Sequence, residues 1–439
     1  MATLLIGESC CLNNTSNDTE NMVHKMKLKS KGNTLMNPFF LFAMAFFVVL
    51  ILYSLRLSEF NTILEKRLLI FLVVTILLNF ILYVVFRKRW AFQINNTVIN
   101  QNGLSKGYGN ISVTFLLLGL AEAIYSHGLP ILGQVNYKDY GMPVIHVILV
   151  CCDSFYILFL AKNFFNKNVS QRGKIVWNMI ISAIPLLFAL SRGTIVIILI
   201  GIAILFITSR SDRLRTRSSL MIVFLLCMGL YLFGIAGNYR MNHDYMKDEN
   251  LNQSSLILSI GKANDKFENS KIPAPFFWTY IYTTSPLSNL NMNIQSVSVD
   301  SASYTPRRGT EYAVVNFLPD FISKRIYPLY TSEFNPWLVT PEFTASSALV
   351  VPYLMLGWVG LYIFMVYELM FPIVYFWLVI KIAPSYFDIA FTLVSTMYLL
   401  MPFANFFAFS ALSIQLFLPF ICAFFRKSKK GLSQITLKE

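Results

Sequence analysis

A guanidinium at the tip of an apolar hairpin is the sharpest chemical signal in this chain. Arg192 stands in Ser191-Arg192-Gly193, between two runs that are otherwise free of charge. An arginine so close to hydrocarbon is costly unless it is paired or wetted. Its planar fork of donors suits a phosphate or pyrophosphate. It equally suits an interfacial turn residue whose head snorkels to water, and position alone leaves both readings open. Arg240, beside Tyr239, follows the seventh apolar run, and Arg307-Arg308-Gly-Thr-Glu311 and Lys324-Arg325 form two further basic clusters. A loop charge by itself is usually only solvated. Several arginines facing one compartment would be what an anionic ligand at a membrane surface requires.

Ionisable groups also fall inside apolar runs: Glu122, His127, His146 and Asp153. Such groups suggest function by default, a proton relay for instance. Glu122 and His127 are five apart and need not share a helix face, whereas His146 and Asp153 are seven apart and do. Pairing between neighbouring spans explains these groups as well as a relay does. No P-loop, Rossmann glycine pattern, Gly-x-Ser-x-Gly or Asp-x-Asp pair is present, and the four histidines are scattered. Neither nucleotide-driven chemistry nor a metal centre is therefore expected, and no cofactor.

These residues need a membrane scaffold to position them. Hydrophobic residues make up 56% of the 439 positions, charged ones 13%, and mean hydropathy is +0.57. That composition lies outside the range of soluble domains. The expected fold is an all-α polytopic membrane protein of about ten transmembrane helices (ten to twelve) with one large extracytoplasmic loop. Runs long enough to span are expected at 36–55, 68–86, 111–129, 143–161, 175–190, 194–208, 220–237, 349–380, 389–406 and 409–425. The apolar run 349–380 contains Pro372 and is read as one long, kinked or tilted span. The net charge of +14 is concentrated in the tails and alternate short loops, so it marks the cytoplasmic side and does not indicate nucleic acid.

The domain plan is then a cytoplasmic tail at 1–35, spans 1–7 over 36–237, a large loop at 238–345, spans 8–10 over 346–425 and a cytoplasmic tail at 426–439. The loop holds nine Lys/Arg against ten Asp/Glu and no cysteine. It is nearly neutral, no disulfide braces it, and the positive-inside rule puts it outside. Loops of this length tend to be functional.

Three pieces of sequence resemble the membrane-embedded O-antigen polymerases (Wzy-type oligosaccharide repeat-unit polymerases). They are Ala189-Leu-Ser-Arg192-Gly-Thr opening a short apolar span, Tyr282-Thr-Thr-Ser-Pro286-Leu-Ser-Asn289-Leu-Asn291, and Thr340-Pro-Glu-Phe-Thr344 leading to Tyr353-Leu-Met-Leu-Gly357-Trp-Val-Gly360. In that family the last stretch commonly carries an aspartate where this chain has Met355. The resemblance implies polymerisation of undecaprenyl-pyrophosphate-linked oligosaccharide repeat units at the outer face of a bacterial cytoplasmic membrane, for lipopolysaccharide or a related surface polysaccharide. It implies a membrane glycosyltransferase that needs neither nucleotide nor metal, with a polysaccharide chain-length regulator as a possible partner. Arg192 and Arg240 would stabilise the departing pyrophosphate, Arg307, Arg308 and Arg325 would bind it, and an acceptor hydroxyl would need a base. Glu311, Asp320, Glu333 and Glu342 are the candidates for that base, with Glu311 placed in the catalytic set. Tyr239, Tyr304, Tyr312, Tyr327, Tyr330 and Trp337 would stack on sugar rings or sit in the interfacial aromatic belt. Two alternatives stay beside this one: the related O-antigen ligase, and a lipid-linked oligosaccharide flippase or secondary transporter using the intramembrane Glu122, His146 and Asp153.

Overall fold

A computed structural model describes residues 35–99, 108–136, 139–165, 171–189, 192–209, 216–246, 250–252, 255–299, 304–328 and 334–435. The described residues are helical throughout, and their only β pairing is a single bridge between Ser58 and Ala263. Three helices are long and apolar enough to cross a membrane, within Lys66–Asn95, Ile145–Phe165 and Val350–Ile382, and shorter apolar helices lie at Pro38–Ser54, Gly109–Tyr125, Gly193–Ser209 and Ser410–Arg426.

The apolar helices in chain order are α1 (Pro38–Ser54), α2 (Lys66–Ile99), α3 (Tyr108–Tyr125), α4 (Ile145–Phe165), α5 (Arg172–Phe188), α6 (Arg192–Ser209) and α7 (Thr216–Asp244). The segment expected to be a loop then folds into α8 (Ser255–Ile260), α9 (Asp265–Glu268), α10 (Phe276–Ser296), α11 (Pro306–Phe317) and α12 (Asp320–Ile326). The chain finishes with α13 (Val350–Ile382), α14 (Phe387–Leu400), α15 (Ser410–Ser413) and α16 (Leu418–Ile435).

At the centre stands α14. Every residue from Phe387 to Tyr398 is buried, and the helix touches α1, α2, α4, α6 and α13. A helix that is apolar all round belongs in a core. It stops at Leu400: Met401 still has helical angles, and Pro402 after it has no N–H to donate to the preceding turn. The run expected to continue to 406 turns instead over 401–409.

Three boundaries differ from expectation for physical reasons. Helix α2 does not end at Arg87-Lys88-Arg89; lysine and arginine are good helix formers, and it continues to Ile99, about 51 Å in all at 1.5 Å per residue. Helix α7 runs past 237 to Asp244, so Tyr239 and Arg240 lie on a helix and not in a loop. In α13 the break is not at Pro372 but at Leu356 and Gly357, the latter with φ 54°. A positive φ is a conformation glycine adopts without steric cost. A Cβ on nearby Gly360 would come within 2.1 Å of the Pro352 carbonyl oxygen, so the broken turn closes only around a bare Cα.

Candidate functional site

The end of the bundle that carries 57–65 and 337–345 is organised by α10. Its polar side chains are buried, yet almost all are occupied in holding irregular backbone. The Asn289 amide donates to the carbonyls of Phe343 (2.9 Å) and Ala345 (2.7 Å) and accepts from the Val339 N–H (2.8 Å). One turn later Asn293 donates to the Trp337 carbonyl and accepts from the Trp337 N–H. Asn291, on another face, donates to Thr62 and the Ile63 carbonyl and accepts from the Glu65 N–H. Tyr280 donates to Asn61 at 2.6 Å, and burial pushes its hydroxyl up to about 12, against the opposing hydrogen bond from Leu57 N–H, so it stays a donor. Buried backbone away from water must find partners; α10 supplies them to 57–65 on one side and 337–345 on the other. Tyr353 in turn donates to the last carbonyls of α10, Ile294 and Val297. The asparagines and tyrosine quoted for the family resemblance thus build the frame.

Helix α7 meets α10 through small residues. A Cβ at Gly234 would lie 2.1 Å from the Pro275 carbonyl oxygen, and one at Gly237 would enter the Trp278 ring. Asn238 accepts from the Trp278 indole N–H and donates to the Leu251 carbonyl. This contact buries Met241 against Phe277, Ile281 and Phe343 and leaves Tyr239 (66% exposed) and Arg240 on the surface. Five residues on, Tyr245 donates to Glu342 at 2.6 Å, a contact across 97 residues of sequence. The pinned 337–345 segment therefore delivers a carboxylate to the C-terminal end of α7. It also presents Trp337, whose N–H and C=O are both held while its ring is 59% exposed.

The second basic cluster belongs to a different packing group. Helix α11 lies on the broken end of α13 through Tyr312, Val315, Met355 and Leu356. Glu311 is engaged at both oxygens, by Arg307 at 2.9 Å and Arg308 at 3.6 Å, and Arg308 also covers the Phe334 ring. In this arrangement Glu311 anchors two guanidinium groups. Tyr312 is 2% exposed and donates to the Gly360 carbonyl at 2.6 Å; its burial pushes the hydroxyl up, and its ring is core and not a surface for stacking. Arg325 folds back on Phe321, donating to its carbonyl. Asp320 is structural: it accepts from Ser410 N–H and Oγ and from Lys324, clasping the turn between α14 and α15. Arg192 opens α6, and its side chain, like all of Tyr330 and Glu333, lies outside the described residues.

Inside the bundle, Glu122 of α3 and His146 at the start of α4 pair at 2.9 Å, a link between adjacent helices, while His127 occupies an exposed turn with φ 53°. Asp153 is fully buried, and among the described residues neither of its oxygens has a hydrogen-bond partner in good geometry, the Ser182 hydroxyl being its polar neighbour. Two buried ionisable groups escaped the sequence reading. Lys162, taken as a cytoplasmic charge, is 6% exposed and binds Asp388 of α14 at 2.7 Å and the Ser385 carbonyl at 2.8 Å. Glu368 of α13 is 1% exposed and accepts from Asn79 of α2 at 3.2 Å. A charge inside an apolar run was the available signal for both, obscured for Lys162 by the basic residues that follow it. Among the described residues no group of three or more His, Cys, Asp or Glu could hold a metal ion.

No protein-family model, curated protein or solved structure matches this chain.

Proposed function

We propose that this chain is a ten-span protein of a bacterial cytoplasmic membrane that polymerises undecaprenyl-pyrophosphate-linked oligosaccharide units on its outer face. Both termini are cytoplasmic in this reading, and the helical segment between α7 and α13 is the extracytoplasmic cap. The observation that carries it is the 337–345 segment. Pinned to α10, it fixes the backbone on either side of the exposed Trp337 ring and brings Glu342 to Tyr245 at the end of α7, the helix that also carries Arg240. An exposed aromatic ring, a carboxylate and an exposed guanidinium are the parts that sugar stacking, hydroxyl activation and pyrophosphate stabilisation need. Glu342 replaces Glu311 as the preferred base. Arg240 and Arg192 act on the leaving pyrophosphate, and Arg307 and Arg308 form a separate anionic-ligand surface.

The test is a gel of surface glycan from a strain lacking the chain, complemented with wild type, Arg192→Ala, Arg240→Ala or Glu342→Gln. Wild type restores a ladder. Each variant leaves single repeat units with longer chains reduced about a hundredfold, the scale of losing one transition-state donor. Full ladders from all three variants at normal protein levels would sink the reading. Absence of any repeat unit at the surface in the deletion strain would move the ligase or flippase reading ahead.

The buried Asp153 favours a second reading, a proton-linked transporter. Proton-coupled uptake into vesicles that Asp153→Asn abolishes would establish it in place of the polymerase.

A further inference from the structure

A groove of about 320 Å³ runs between α2 and α13, lined by Phe86, Arg89, Trp90, Ile373, Trp377 and Ile380. Its back wall is rigid. Trp90 is 3% exposed and stacks on Phe39 and Phe86 with an edge contact to Phe376. Its outer lip is Trp377, 49% exposed. The walls are apolar, so the groove suits hydrocarbon. One end is different. Arg89 lies three residues from Phe86 on the same face of α2 and is exposed, with no ion pair among the described residues. Lys381, four residues beyond Trp377 on the same face of α13, sits 3.9 Å from the centre of that ring. Arg87 and Lys88 adjoin Arg89. Helix α2 contains no carboxylate at all, and Glu368, the one carboxylate of α13, is buried facing Asn79. The cations at this end are therefore uncompensated by acidic residues of either helix.

We propose that this groove binds an anionic phospholipid, with an acyl chain along Phe86, Trp90 and Ile373 and the phosphate between Arg89 and Lys381. The site rests on the reading of α2 and α13 as membrane spans, which places the cationic end at the cytoplasmic leaflet, and it is independent of any glycan chemistry. A zwitterionic lipid would fill the same apolar space, but its own ammonium would oppose the two cations. Each basic residue near an anionic headgroup contributes about 1 kcal/mol, or roughly fivefold in affinity. The indole of Trp377 holds the Lys381 ammonium over its face by a cation–π contact, which keeps that charge at the groove and not in bulk water. The second apolar groove, lined by Phe47, Ile51 and Val73, has no cation among its lining residues.

Trp377 reports directly on the occupant. The full chain is reconstituted in nanodiscs of mixed phosphatidylglycerol and phosphatidylcholine, with bromine on the acyl chains of one lipid or the other. The quenching of Trp377 is taken as the difference from Trp377→Phe. The expected result is at least a fivefold preference for brominated phosphatidylglycerol in wild type. Arg89→Gln/Lys381→Gln brings the ratio to about one, while Arg89→Lys/Lys381→Arg retains it. Both are exposed positions, so the fold is kept, and the charge-preserving variant controls for it. Equal quenching by the two lipids in wild type would overturn the proposal, as would a preference that survives the double glutamine variant. Protection of Trp377 from both lipids would also overturn it, by showing that protein covers the groove.

Discussion

Two buried polar pairs hold α13 and α14 in register with their neighbours, and each makes a different demand on charge. Asn79 donates to Glu368 Oε2, but Glu368 Oε1 and Asn79 Oδ1 have no partner. An N–H at the position of Glu368 Oε1 would satisfy both orphans in the manner of paired amides. Glu368→Gln is therefore expected to fold as well as wild type or better. Glu368→Ala removes the cross-helix partner of Asn79, leaving it only the Thr75 carbonyl, and should lower stability by about 1–3 kcal/mol. Thermal unfolding of the detergent-solubilised variants checks the order; equal stability of all three would contradict it. The Lys162–Asp388 pair is enclosed, with the Ser385 carbonyl as a further acceptor. Removing one partner of such a pair strands the other, at about 3–5 kcal/mol, whereas replacing both with apolar side chains is often neutral. Lys162→Ala should lose the melting transition or lower it steeply, and Lys162→Met/Asp388→Leu should recover most of the loss. A double variant no better than the single one would mean the pair does more than stabilise.

At the scale of elements, α10 is the piece on which the end of the bundle carrying 57–65 and 337–345 depends. Its asparagines do what strand partners do elsewhere: they satisfy irregular backbone that has no ladder of its own. Asn289→Ala removes three hydrogen bonds from 337–345, each worth about 1 kcal/mol. The bundle core around α14 should survive, because Asn289 makes none of its contacts there. Hydrogen exchange in 337–345 should accelerate by one or more decades while α14 remains protected. Unchanged exchange in that segment would show that Phe343, buried beside Phe277 and Tyr282, holds it without the asparagine. If the segment does loosen, Trp337 and Glu342 lose their fixed positions together, and the glycan ladder should shorten with them. The break in α13 has a related logic. Its short first stretch changes direction at Leu356 and Gly357 where it meets α11, and the Gly360 carbonyl just beyond the break accepts from Tyr312.

For the molecule as a whole, the sidedness of the cap decides what it can act upon. In a background without native cysteines, Lys271→Cys should react with a membrane-impermeant maleimide added to intact spheroplasts. Arg172→Cys, exposed at the start of α5, should react only after permeabilisation. Reaction of both from the same side would break the alternation of spans on which the outer-face reading stands. The lipid groove between α2 and α13 lies at the end of the bundle away from the cap, so the two surfaces can be tested separately.

What the sequence determined by itself is whatever depends on long runs of one character. Apolar length and charge asymmetry marked a helical membrane chain, and three of the described helices are long and apolar enough to cross a membrane, because hydrophobicity summed over twenty residues outweighs local detail. Its short motifs located the important glycines, asparagines and aromatics without revealing their tasks. Tyr312, Glu311 and Asp320 carry side chains that suit a binding site, yet in the fold all three are spent on holding α11, α12 and the turn after α14. Lys162 and Glu368 showed the converse, since their partners Asp388 and Asn79 are distant in sequence and only packing brings them within reach. Glu342 became the stronger candidate for the same reason: its neighbour Tyr245 is set by the way 337–345 lies on α10. Such contacts depend on three-dimensional adjacency across many residues, which periodicity does not encode and tertiary structure alone decides.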